Sequence, residues 1–271
     1  MAQPVTARLG RGAAWAAFAA YFLVPMGASI YFTLFDRDNH FSATPYTGLF
    51  QASGFVPALQ MSVEMGVLTV VVLLALLLPA MVTIQLSMPR LRPIVETLCT
   101  MPLVIPPIAF VAGIIALQTR LSDADPYGPL SQLVNNQLMQ TGLPLLLVFS
   151  YVVLALPFAY RALDAGLRLL PLRTLVDAAR GLGASWPTVL LRVIMPNLRT
   201  AILNAAILTL ALVLGEFTLA TLLGFTPFPV WIVTSGGDHA QQSTAASIVS
   251  LLVTWGGLLI LSVFGDRRRT A

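Results

Sequence analysis

Six long apolar stretches separated by shorter polar ones organise the whole chain. A helix rises about 1.5 Å per residue, so crossing roughly 30 Å of hydrocarbon takes about 20 apolar residues. Stretches of that length run approximately over Ala13–Phe35, Pro57–Ser87, Thr97–Gln118, Gly142–Arg161, Ala201–Gly224 and Ala245–Phe264, and each predicts a transmembrane helix. The second is longer than a span requires, so Pro79 is expected to bend it or to mark its inner end. The first follows Arg8 and Arg11 but exceeds the apolar region of a secretory signal, and five more spans follow it. It is read as an uncleaved helix.

Composition agrees with this pattern. Of 271 residues, 57% are hydrophobic and 10% charged, where a soluble domain carries about 25% charged residues. Too little polar surface exists to coat a water-soluble globule. Cys99 is the single cysteine, which excludes a disulfide scaffold. All 15 basic residues are arginine, so P-loop, Schiff-base and kinase chemistry, each of which needs a lysine, is excluded. The arginines are dispersed between apolar runs rather than gathered into a nucleic-acid-binding patch.

Their placement predicts orientation. With the N-terminus inside, Arg8, Arg11, Arg90, Arg92, Arg161, Arg168, Arg173, Arg180, Arg192, Arg199, Arg267, Arg268 and Arg269 fall on the cytoplasmic side. Only Arg37 and Arg120 fall outside, the bias that the positive-inside rule describes. The outer loops then carry Asp36, Asp38, Asp123, Asp125 and Asp238 with His40 and His239. The expected organisation is an all-α membrane domain over residues 13–264, without an evident internal repeat, between cytoplasmic tails 1–12 and 265–271.

The connection between spans four and five, about residues 162–200, is far longer than the roughly 2–8 residues that join neighbouring helices. It is also patterned. Thr174 and Asp177 have the T-x-x-D spacing of a capping box. Leu175, Val176, Ala178, Ala179 and Leu182 supply an apolar side, and Gly181 and Gly183 permit a stop with positive φ. Ser185 can cap a second helix with Pro187 in its first turn. That helix carries Val189, Leu190, Val193 and Ile194 up to Pro196, where span five begins. Two short helices joined at Gly183-Ala184-Ser185 would project a compact knob into the cytosol. An amphipathic loop lying on the headgroups, anchored by Trp186 and the arginines, fits the same pattern.

Asp177-Ala178-Ala179, three residues, Gly183, nine residues, then Val193-Ile194-Met195-Pro196 resembles the E-A-A-x3-G-x9-I-x-L-P signature of binding-protein-dependent ABC importer permeases of the MetI-like family. The spacing is intact, with Asp177, Val193 and Met195 as conservative departures. Met101-Pro102-Leu103-Val104-Ile105-Pro106-Pro107-Ile108 looks like the proline-rich third span of these permeases. Gly183-Ala184-Ser185 and Gly215-Glu216-Phe217 resemble the subgroup that imports polyamines, ferric iron, thiamine and oxyanions. The resemblance covers roughly residues 57–264.

The resemblance implies a six-helix permease, with no catalytic residue, cofactor or metal of its own. A cytosolic ATPase dimer would bind ATP and magnesium. A second permease subunit, identical or different, would complete the pathway, and an extracytoplasmic binding protein would deliver cargo. Asp177, Ala178, Ala179, Gly183, Ala184, Ser185 and Pro196 would belong to the loop that docks on the ATPase, although Asp177 can also serve the helix alone.

Two acids fall within the apolar stretches, Glu64 and Glu216. A charge at mid-membrane costs about 2.5–3.5 kcal/mol on insertion scales. Both can face an outward-open chamber and attract a cation, or each can be protonated or hydrogen-bonded to a neighbouring helix. Pro106 and Pro107 interrupt span three and mark a second candidate stretch of pathway. Polyamine import is the expected function. Ferric iron, thiamine or an oxyanion or phosphonate are the alternatives within the class, and an ion-coupled carrier is the alternative outside it. Intramembrane metalloprotease or Ser–His chemistry is excluded because both histidines lie in outer loops.

Overall fold

The computed structural model describes residues 5–35, 39–138, 144–237 and 239–266. Asp36, Arg37, Asp38, Asp238 and Arg267 to Arg269, all used in the charge argument, lie outside the described residues. Among the described residues the regular structure is helical, apart from one isolated bridge between Phe35 and Phe41.

The principal helices are α1 (Val5–Leu34), α2 (Phe55–Ser87), α3 (Pro89–Leu103), α4 (Pro107–Ala124), α5 (Leu145–Arg168) and α6 (Leu172–Gly181). They continue as α7 (Trp186–Asn197), α8 (Arg199–Gly215), α9 (Thr218–Leu222), α10 (Phe228–Ser235) and α11 (Ala240–Asp266). Among the described residues three single helices are long and apolar enough to cross a membrane, namely α1, α2 and α5, and bent pairs raise the number to as many as five. The pairs are α3 with α4, bent by 96°, and α7 with α8, bent by 82°. Helix α11 occupies the sixth expected stretch.

Several boundaries differ from those expected. Span three is not one straight helix, because Pro106 and Pro107 fall at its break. Pro107 pushes the residue before it out of the helical region, and Pro106 accordingly has ψ 137°. Pro107 then opens α4 at the position where a missing N–H costs nothing. Pro79, by contrast, neither ends α2 nor marks its inner limit, since the helix runs on to Ser87. Buried Leu77, Leu78, Met81 and Val82 surround it, and their packing outweighs one absent backbone bond. Helix α5 extends through Arg168, beyond the expected Arg161, so the loop before α8 narrows to residues 169–198. Span five stops at Gly215 instead of Gly224.

The chain divides into two compact units. One comprises the chain up to Phe55 together with Ile232–Val253. Here the Gln241 amide donates to the Phe32 and Phe35 carbonyls at 2.9 and 3.0 Å, and the Gln242 amide donates to Gly48. These side chains tie the end of α1 to the start of α11. Only 6% of an 18-residue window within Ala14–Leu34 is buried, so that part of α1 presents a broad apolar surface. Such a surface is stable in lipid or against another apolar helix.

The other unit, Val56–Trp231 with Thr254 onward, holds two apolar clusters. The first joins Leu73 and Met81 of α2, Cys99 of α3, Ala159 and Leu163 of α5, Val176 of α6, and Ala201 and Ala205 of α8. The second joins Met65, Val111, Tyr151, Val213 and Leu219. Helix α5 contributes to both and is the axis of the unit. Its small residues Ala155, Ala159 and Gly166 permit close helix approach, the means by which apolar helices associate in lipid.

Candidate functional site

Residues 169–198 fold as two helices around a sharp corner. Leu172, Val176 and Ala179, spaced four and three apart, turn one face of α6 into the core. Arg173, Thr174, Asp177, Ala178 and Arg180 occupy the exposed face. Ala178 and Leu182, expected on the apolar side, are therefore open. Leu182 is 91% exposed at the tip.

The expected capping box does not form. Helix α6 starts at Leu172 with Pro171 as its N-cap and has no side-chain cap. Thr174 is therefore the third residue of the helix and Asp177 the sixth, so neither holds the position that a capping box requires. Pro171 fixes the entry earlier than the T-x-x-D spacing suggested.

The corner is made as its glycine requires. Gly183 has φ +83°, Gly183 N–H donates to Arg180 O at 2.9 Å, and Ala184 N–H donates to Ala179 O at 3.1 Å. This paired closure is a Schellman motif. Gly181 remains helical and takes no part in the positive-φ turn. Arg180 reinforces the corner, donating to Ala184 O at 2.9 Å with its guanidinium 5.7 Å from the centre of the Trp186 ring. Ser185 is the N-cap of α7, with φ −72° and ψ 159°, but its hydroxyl pairs with Thr188 Oγ1 at 2.9 Å rather than with a backbone N–H.

Helix α7 is wide-wound over Val189–Ile194, and Pro196 lies inside its last piece, Met195–Asn197. Span five therefore starts at Arg199, after the bend, rather than at Pro196. Asn197 Nδ2 donates to Val193 O at 2.7 Å, covering an acceptor beside the proline. An apolar cavity of about 600 Å³ separates α2, through Val82 and Thr83, from Trp186, Leu190 and Ile194 of α7.

The second candidate region is the pair of helix breaks. Pro107 and Leu219 line one small apolar cavity together with Pro102, Ile105, Phe110 and Ser150. The break in span three is thus brought against α9, which follows the break in span five. Neither Glu64 nor Glu216 lines this cavity. Glu64 is exposed on α2 and accepts from Gln60 Nε2 at 2.7 Å. Glu216 is not in a helical span. It has an extended backbone after Gly215, and its carboxylate accepts the N–H groups of Thr218 at 2.9 Å and Leu219 at 3.1 Å. Those donors are the free groups at the start of α9, where a carboxylate is favoured. Gly224, with φ +80°, closes the other end of α9 through Phe225 N–H to Ala220 O.

Residue patterns alone did not reveal a polar cluster on α3 and α5. Asp164 Oδ1 accepts from Arg92 Nη2 at 2.6 Å, and Asp164 Oδ2 accepts from Arg168 Nη2 at 2.7 Å and Nε at 2.8 Å. The Asp164–Arg168 spacing of four is legible once the helix is known to reach Arg168. The Arg92 partnership, 72 residues away, is not.

In the unit built around α5, bent apolar helices carry the two-helix corner. Residues 72–267 match the family described as the binding-protein-dependent transport system inner membrane component, and the chain belongs to that family. It is a permease subunit of an importer. The molybdenum transport system permease protein ModB of Azotobacter vinelandii is 30% identical over 171 residues, 62% of this chain and 72% of that one. The fold is shared with a bacterial ABC transporter involved in the import of the acidic polysaccharide alginate, with TM-score 0.66, 17% identity and coverage of 97% and 95% of the two chains. A bacterial alginate ABC transporter in complex with an alginate pentasaccharide-bound periplasmic protein gives TM-score 0.62 at 17% identity, covering 98% and 94%.

Proposed function

We propose that this chain forms half of the translocation pathway of an ABC importer whose cargo is a small oxyanion, and that the corner at Gly183 docks on a separate ATPase. The exposed face of α6, ending in the Gly183 turn, carries this reading. It offers Asp177, Ala178 and the open Leu182 on a helix whose other face is locked into the core. A push on such a helix moves the core residues packed beneath it. Ala179 and Ala184 support the knob from beneath, Ser185 is the N-cap of its second helix, and Pro196 lies in that helix's last piece.

The pathway side is assigned to Pro106, Pro107 and the Glu216 break, completed by a second permease subunit. Six spans with both termini in the cytoplasm fit the arginine distribution, and a periplasmic binding protein would deliver cargo. ATP and magnesium belong to the partner ATPase.

For the cargo, the polyamine expectation draws no support from the relatives, which are named for molybdenum and for an acidic polysaccharide. It also leaned on the acids of the spans and outer loops, and among these the carboxylate of Glu216 is engaged by two backbone N–H groups. An oxyanion, already an alternative on the sequence, fits the molybdenum relative better.

The test is ATP hydrolysis by the complex purified through this subunit, reconstituted with its binding protein. Molybdate, tungstate, sulfate and spermidine are supplied in turn. Stimulation by an oxyanion and not by spermidine is expected, and Gly183→Val should weaken it. Stimulation by spermidine alone would return the assignment to polyamines. Purification without an ATPase would remove the docking reading.

A further inference from the structure

We propose that Asp164 is the positioning residue that makes the arm before the 96° break move together with the coupling helix. The inference rests on the coupling role assigned to α6 above and names the link by which its displacement reaches the pathway.

Three observations meet at this carboxylate. It is nearly enclosed, with a side chain 13% exposed, and both of its oxygens are used. One accepts from Arg92, at the start of the arm that leads to the break at Pro106-Pro107. The other accepts from Arg168, the last residue of α5, from which the chain turns directly into α6 at Leu172. Asp164 thus joins the arm to the root of the coupling helix by charge-assisted bonds on both sides.

Tyr160 of α5 also interacts with Arg92, and Glu96 of the arm acts electrostatically on Arg168, so the polar link centres on Asp164 without being confined to it; the other contacts are apolar. Cys99 of the arm, Leu167 of α5 and Val176 of α6 share one apolar cluster. Apolar contact is non-directional, so it resists separation but fixes register weakly. The Arg92–Asp164 pair does fix register between α3 and α5, because sliding one helix past the other parts a charge-assisted bond, while Arg168, on the same helix as Asp164, holds the carboxylate in place. Without Asp164, Arg92 and Arg168 would lose the carboxylate they share, leaving Glu96 as the acid near Arg168. The ion-pair clamp therefore sets which way the arm follows when α6 is displaced.

The measurement uses the assembled importer in lipid, in a Cys99→Ala background with nitroxide labels at Leu91→Cys on the arm and Leu191→Cys on α7, the second helix of the knob. Both positions are exposed. Label-to-label distances are recorded without nucleotide and with ATP–vanadate trapped. The parent complex should give one narrow peak at the same distance in both states. Asp164→Asn should shift or broaden that peak on trapping. Arg92→Gln should do the same, and the double variant should add nothing to either single change. Should Asp164→Asn fail to assemble, Arg92→Gln carries the test alone, because it leaves Asp164 paired with Arg168. A peak that shifts on trapping in the parent complex overturns the proposal while leaving the importer reading intact. A narrow, unshifted peak in the variants overturns it as well. If no ATPase co-purifies, the coupling reading fails and this inference fails with it.

Discussion

Gly166 of α5 lies so close to Ala201 of α8 that a side-chain carbon at position 166 would overlap the Ala201 methyl group. It would also come within 3.1 Å of Leu198 Cδ2. The two helices that carry most of the core therefore touch nearly backbone to backbone, just before the knob leaves α5. Gly166→Val is expected to destabilise the subunit by about 1–3 kcal/mol, the usual cost of overpacking. A lower midpoint of thermal unfolding in detergent would show this. An unchanged midpoint would mean that the helices do not approach in this way.

Gly183 makes a contrasting prediction, because nothing lies within 4 Å of a side-chain carbon built there. Its constraint is the backbone angle alone. A residue with a side chain in that conformation costs about 1–2 kcal/mol, and asparagine adopts it more readily than most. ATPase coupling should therefore fall in the order Gly183→Asn, Gly183→Ala, Gly183→Val. An order set by side-chain size at the ATPase surface, with Ala better than Asn, would show that contact rather than conformation governs the site.

Glu216 is predicted to act as a cap before it acts as a charge. Glu216→Gln keeps an acceptor for the Thr218 and Leu219 N–H groups, whereas Glu216→Ala removes it. The alanine variant should lose about 0.5–2 kcal/mol of stability, and the glutamine variant less. If the cargo is an oxyanion, Glu216→Gln should leave uptake largely intact. A severe loss of uptake in a stably folded Glu216→Gln would assign the negative charge itself to transport.

A buried cross-connection gives a fourth test. Ser62 Oγ accepts the Phe228 N–H at 2.7 Å, joining α2 to the first turn of α10. Ser62→Ala leaves that buried donor without its side-chain acceptor, at a cost of about 1–3 kcal/mol. Hydrogen exchange at the α10 start should accelerate in Ser62→Ala, and not in the neighbouring exposed Val63→Ala.

Much of the knob was legible because its signals are local. Gly183 needs only its own φ, and the spacing from Asp177 to Pro196 lies within one stretch of chain. Where the local signals competed, the reading failed. Thr174 and Asp177 spell a capping box, yet Pro171 starts α6 before them. Glu216 sits in an apolar run, yet it ends one helix and caps the next.

By itself the sequence determined that the chain lives in a membrane, how many apolar stretches it has, where the arginines bias its orientation, and which glycine turns the corner. Each depends on composition, period or a single residue's conformational freedom. Only the tertiary structure decided that Asp164 holds Arg92, that Gly166 receives Ala201, and that the Pro107 break meets α9. Those relationships join residues far apart in the chain. Pattern along one strand of sequence carries no information about which polar groups will find each other once apolar helices have packed, because their pairing is fixed by the geometry of that packing.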